Sequence, residues 1–166
     1  MPVVSNTSPL LTLAIVGRLS LLREQFGEIW MPSAVLAELR IEDDLPGSQS
    51  VREAITAGWL RVEAVKDHPF AQVLQRELDR GEAEAIALAL QVKADWTLLD
   101  EREGRRVAKS LGIKVTGVVG ILLRARREGR LPSLRRALEE VREQAGFRID
   151  AALVADVLRR IGEGQG

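Results

Sequence analysis

The chain has 166 residues, and its 24 Lys plus Arg are matched by 24 Asp plus Glu, so net charge gives no general pull towards nucleic acid or an anionic surface. Apolar residues make up 46% and charged residues 29%, the balance of a globular domain rather than a disordered or fibrous chain. There is no cysteine, which excludes disulfides, thiolate metal sites and cysteine nucleophiles and leaves oxygen atoms as the ligands a metal would meet.

This length suits one domain over residues 1–166, with a helical extension over about 131–161. The segment Met1–Gly17 is apolar but broken by Ser5, Asn6, Thr7, Ser8 and Pro9, and it lacks the basic start of a signal peptide. No stretch approaches the roughly 20 apolar residues that cross a bilayer, so no membrane partner is expected and the cytoplasm is the expected compartment.

In chain order, Val3-Val4 predicts a short buried strand, and Ser8-Pro9 a helix start with Ser8 as N-cap and Pro9 at the first helical position. Ile29-Trp30-Met31 predicts a second strand, Pro32-Ser33 a helix carrying Val35, Leu36 and Leu39, and Glu42–Ser50 a polar loop. A helix over Val51–Ala57, a strand over Trp59–Val65 and a partly helical polar stretch from Asp67 to Asp79 follow. Gly81–Val92 is nearly all Ala, Ile and Leu apart from Glu82, Glu84 and Gln91, which predicts a helix buried on most sides. Trp96–Leu99 reads as a strand ending at Asp100. A helix over Glu101–Leu111, a strand over Ile113–Thr116 and helices near 118–128, 133–144 and 151–161 complete the chain before a Gly-rich end expected to fray. Strands alternating with helices predict an α/β fold with a parallel sheet covered on both faces.

In such sheets ligands bind beyond the carboxyl ends of the strands, which singles out Asn6, Thr7 and Ser8 after the first strand and Asp100 and Glu101 after the fourth. Asp100 is placed to bind a hard cation or, equally, to cap the next helix. Glu82 sits in a first helical turn at capping-box spacing from Asp79, and Glu38 lies at the edge of the Val35–Leu39 stripe. Arg102, Arg105, Arg106 and Lys109 recur at helical spacing on one face, opposite Gly104, Val107, Ala108 and Leu111. Residues 101–130 hold nine Lys or Arg against three acids, a local surplus that suits a phosphodiester beside the carboxylates. His68 is the only histidine, so neither a histidine triad nor a zinc site can be built around it. A phosphate-accepting receiver domain would need paired acids after the first strand, and Val3-Val4-Ser5-Asn6 supplies none.

The strings Val4-Ser5-Asn6-Thr7-Ser8-Pro9-Leu10, Pro32 through Glu38-Leu39, Leu78 through Ala89 and Leu98-Leu99-Asp100, in this order, resemble the PIN-like nuclease domains, within them a prokaryotic PIN-like subgroup of unknown function. Gly104 to Ala108, Gly117 to Leu122 and Gly146-Phe147-Arg148-Ile149 resemble the same subgroup, so the likeness covers nearly the whole chain. The resemblance implies a three-layer α/β/α domain with a central parallel sheet. Its acids, here Glu38, Glu82 and Asp100 with Glu101 adding to them, would bind Mg²⁺ or Mn²⁺ for cutting single-stranded RNA. Thr7 and Ser8 would orient ligands from behind, and Arg102, Arg105, Arg106 and Lys109 would hold RNA. The resemblance also implies a toxin of a toxin–antitoxin pair, with a small antitoxin protein as partner and a homodimer as assembly. Where most active members carry aspartate after the first strand this chain has Asn6, a neutral carbonyl donor, so the alternative is a catalytically weak or inactive module that binds nucleic acid or protein.

Overall fold

Segments of two or three residues, rich in β-branched and large apolar side chains, form the strands β1 (Val3–Ser5), β2 (Ile29–Met31), β3 (Leu60–Val62), β4 (Trp96–Leu98) and β5 (Val115–Thr116). The computed structural model describes residues 2–164. The strands pair in the order β3-β2-β1-β4-β5, and every pair is parallel, with Val3 opposite both Ile29 and Trp96. Parallel strands need long crossovers, and helices supply them. These are α1 (Thr7–Ile15), α2 (Ser20–Phe26), α3 (Ser33–Leu39), α4 (Ser48–Thr56), α5 (His68–Leu74), α6 (Arg80–Val92), α7 (Arg102–Ser110) and α8 (Val118–Arg127), followed by α9 (Leu134–Ala145) and α10 (Ala151–Arg160).

Strand alternation splits the apolar side chains between two cores. Val3, Ile29, Met31 and Leu98 face the core filled by α1, α2, α8 and α9, while Val4 and Leu99 face the one filled by α5, α6 and α7. The result is the three-layer α/β/α architecture expected from the sequence. The last two helices are built into the first core through Leu134, Leu138, Val141, Val157 and Leu158.

Local departures have identifiable causes. α2 was not expected: seven residues without a capping side chain carry no periodic signal, yet Leu21 and Leu22 are buried. The expected Glu42–Ser50 loop is partly ordered, as a 3₁₀ turn over Ile41–Asp43 and the first turn of α4, which begins at Ser48 rather than Val51. The expected strands over Trp59–Val65 and Ile113–Thr116 are longer than the observed β3 and β5. Ser8 is not the N-cap of α1, and Pro9 is its third residue rather than its first. The Asn6 N–H donates to Leu98 O at 3.0 Å, and the chain turns into the helix directly after that bond. Proline is tolerated there because the N–H groups of a first turn have no intrahelical acceptor. His68 is exposed, as expected, and opens α5 behind the N-cap Asp67. The end expected to fray falls partly on residues 165 and 166, outside the described residues.

Glu163 ties the tail to the body. Its carboxylate accepts from Leu134 N at 2.9 Å, Arg135 N at 3.2 Å, Ser133 Oγ at 2.8 Å and Arg126 Nε at 3.0 Å, so it covers the amino end of α9 and pairs with α8. Burial alone would raise its pKa, but the donors outweigh burial and hold it at about 2, below the ordinary 4.5. A depressed folded-state value means stability that is present above pH 4.5 and is lost as pH falls from there towards 2. Replacing Glu163→Gln is expected to cost about 2 kcal/mol at neutral pH, a drop of roughly 4–8 °C in Tm. Thermal melts followed down the pH scale should show the two proteins converging as the native carboxyl protonates.

Candidate functional site at the carboxyl edge of the sheet

From β1 the chain moves one way to β2 and β3, then returns on the other side to form β4 and β5. The loops after β1 and β4 therefore diverge, and a crevice opens between them. A cavity of about 520 Å³ lies there, lined by Asn6, Thr7, Ser8, Glu38, Asp100 and Glu101, with Phe147 and Arg148 closing the far side.

Each acid reaches this edge from a different segment. Glu38 projects from the exposed side of α3, where the Thr7 hydroxyl donates to its Oε2. Asp100 accepts from Ser8 Oγ and from Val118 N, both at 2.8 Å. It thus covers the start of α8, whereas the helix that follows it in sequence begins after Glu101, which makes no capping bond. Burial pushes the Asp100 carboxyl up, the Val118 N–H, the Ser8 hydroxyl and the Arg105 charge pull it down, and Glu101 raises it again; the net shift is upward. Glu82 is 5% exposed and forms the capping box expected from its spacing, with Glu82 N donating to Asp79 Oδ1 at 2.8 Å and Asp79 N to Glu82 Oε2 at 3.3 Å. Its carboxyl is also raised, by burial first and then by the charge of Asp79, against the opposing Asp79 N–H, with Glu101 and Glu38 adding repulsion.

Three glycines make room for these carboxylates. A Cβ on Gly81 would stand 2.6 and 2.7 Å from the two Glu38 oxygens, one on Gly104 3.3 Å from Glu82 Oε1, and one on Gly117 2.5 Å from Asp100 Oδ1. Glu84, one turn into α6, accepts from Ala34 N at 3.3 Å and pairs with Arg80 at 2.9 Å, fixing α6 against the start of α3 and so the approach of Glu38 to Gly81. Sequence reasoning missed these positioning contacts. The glycines stood inside the quoted strings, but their meaning depends on which distant acid faces them.

Residues 2–163 match a family model described as a PIN domain. The chain belongs to the PIN domain family. No curated protein and no solved structure matches it significantly.

A divalent ion, as the PIN domain implies, would meet only oxygen donors here, which is what a hard cation takes. Asn6 is 4% exposed, and its Oδ1 is buried without a hydrogen-bond partner among the described residues. An orphaned buried carbonyl beside carboxylates is a vacancy in the hydrogen bonding that a cation satisfies. Among the described residues no three acidic or histidine side chains converge tightly enough to chelate as they stand. Glu38, held by Thr7, and Glu82, held by its capping box, would have to turn inward. The donor chemistry fits, with ligand rotation as the condition.

The basic face expected on α7 of this PIN domain divides. Arg105 turns inward and donates to Leu99 O at 3.0 Å, whereas Arg106 pairs with Glu103 at 3.0 Å and Glu77 at 3.5 Å. Arg102 and Lys109 are exposed and form no ion pair among the described residues. The four do not act as one open stripe, because neighbouring acids and a backbone carbonyl claim the middle two.

Two outcomes follow. Gly81→Ala adds a better helix former, and the group it displaces is the mobile end of exposed Glu38. The fold is therefore expected to keep or gain a degree or two in Tm, while the thermal shift produced by Mn²⁺ shrinks. Glu82→Gln keeps an acceptor for Asp79 N and removes a charge crowded by three acids. Since a raised pKa means stability lost as pH rises, this variant should melt a few degrees above the native chain near pH 8, and the gap should close near pH 4; scanning calorimetry at both pH values decides it.

Proposed function

We propose that the chain acts as a single-domain, Mg²⁺- or Mn²⁺-dependent endoribonuclease on single-stranded RNA. The observation that carries this reading is the cavity at the switch point of the sheet that Glu38, Asp100 and Glu101 line together with Asn6, whose Oδ1 is unpartnered among the described residues, with Glu82 near enough to feel the charges of Glu38 and Glu101. In this reading Asp100, Glu82, Glu38 and Asn6 hold the ion, with Glu101 as a further ligand. The ion, when bound, neutralises phosphate charge and activates water for in-line attack. Thr7 orients Glu38, while the Ser8 hydroxyl donates to Oδ2 of Asp100 and the Val118 N–H to its Oδ1. Arg105 and the exposed Arg102 and Lys109 supply positive charge for the strand, with Arg106 at the margin.

Asn6 supports a second reading, a module that kept the fold and binds RNA or protein without cutting it, since a neutral ligand holds a cation less firmly than a carboxylate. The toxin role, a small antitoxin partner and a homodimer rest on the family alone, and the cytoplasmic setting is the expectation drawn from the sequence. Among the described residues no helix is long and apolar enough to cross a membrane.

Cleavage of a labelled single-stranded RNA with Mg²⁺ or Mn²⁺ separates the two readings. A nuclease cuts in the native form and loses at least a hundred-fold in rate in Asp100→Asn with its melting temperature retained. A native chain that binds RNA but never cuts, and gains cutting in Asn6→Asp, is the binding module instead.

A further inference from the structure

A second cavity, of about 360 Å³, adjoins the acidic one and shares Asp100, Phe147 and Arg148 with it. Its walls are Val119 and Leu123 of α8 on one side and Leu153 and Val157 of α10 on the other. The segment between α9 and α10 closes it: Gly146, at φ 65°, ends α9, Phe147 N returns to Val141 O at 3.1 Å, and the chain then crosses the carboxyl edge. Phe147 and Arg148 line both cavities, so they form the partition between them.

We infer that this second cavity is a nucleoside subsite that takes the base next to the phosphate held at the acids. The inference rests on the nuclease or RNA-binding reading of the neighbouring site and names what that site selects. Three observations converge on the occupant. Val119, Leu123, Phe147, Ile149, Leu153 and Val157 make the lining mainly apolar, with Asp150 and Arg160 as polar groups on the α10 side, and Leu153 is 42% exposed, so apolar surface is left open beside a charged site. The volume sits at the low end of small-ligand pockets and suits one nucleoside rather than a helix or strand of a partner protein. Arg148 is exposed at the partition and makes no hydrogen bond or ion pair among the described residues, which leaves its guanidinium available to a phosphate or a base plane.

A base stacked on Phe147 places its own phosphate on the side of Asp100, because the two cavities share that residue and this wall. Such a base has to be splayed from its neighbours. A duplex holds its bases stacked and paired, so the partition selects single strands by geometry, without reading hydrogen-bond patterns.

The test is binding of a fluorescent single-stranded RNA to the full chain in the presence of a chelator, where no metal-dependent cutting occurs. Phe147→Ala is expected to weaken binding about ten-fold. Leu153→Glu, which alters a half-exposed wall position and leaves both cores intact, is expected to weaken it comparably. An RNA with one abasic position should lose affinity for the native chain and lose nothing further in Phe147→Ala. With metal, a cutting enzyme should show a raised KM for both variants at little changed kcat. Native-like binding by both variants, or no RNA binding by the native chain, overturns the subsite. RNA binding without cutting, with both variants weakened, sustains the subsite while removing the nuclease; cutting indifferent to both variants and to the abasic position does the reverse.

Discussion

The Asp100 carboxylate holds the functional edge together. One oxygen receives the first N–H of α8 and the other the hydroxyl of Ser8 in the first turn of α1, so a single side chain joins two helix starts to the end of β4. Helix amino ends carry partial positive charge and unsatisfied donors, and they favour a carboxylate there. Burial works against them and wins, leaving the carboxyl raised. Without an acceptor at this point, the Val118 N–H would lose its partner beneath α8, and Ser8 would lose the reason to face inward. The loops on either side of the switch point are thus registered by one buried carboxylate.

The remaining acids are gathered at an energetic disadvantage that the architecture limits. Glu82 is kept by a capping box, a local bond pattern that ordinary helices use for their own stability. Glu38 is kept by Thr7 and by the missing side chain of Gly81, and Glu84 sets the helix pair that brings the two together. None of these devices neutralises charge: they fix position while repulsion persists. Burial first, and neighbouring acids after it, raise the Glu82 and Asp100 carboxyls, so placing them here costs stability.

The strands were legible because parallel strands covered on both faces are apolar runs closed by turns, as in Ile29–Met31. Their lengths were not, since Leu99 and Val65 are as buried as strand residues yet lie beyond the paired segments. The capping box was legible because its partners are three residues apart; Ser8 read both as a local cap and as a group orienting a ligand, and only the fold decides between them, because the partner of its hydroxyl, Asp100, lies far along the chain. The acids themselves are ordinary helix and loop residues when taken singly, and only the resemblance put them in one group. The facing glycines, the buried Asn6 carbonyl and the partition at Phe147 exist only once distant segments have met.

Asn6 gives the site its character. The position is buried, its Oδ1 has no donor to meet among the described residues, and Glu38, Asp100 and Glu101 line the same cavity. An aspartate in that place would add a buried charge without a hydrogen bond to a cluster that already repels itself, and only a cation would compensate it. Asparagine lets the edge close without an ion while keeping an uncharged oxygen in the cavity. On the proposed nuclease reading the consequence is a looser hold on metal, and with it greater dependence on the phosphate chain and on the Phe147 partition to bring strand and ion together.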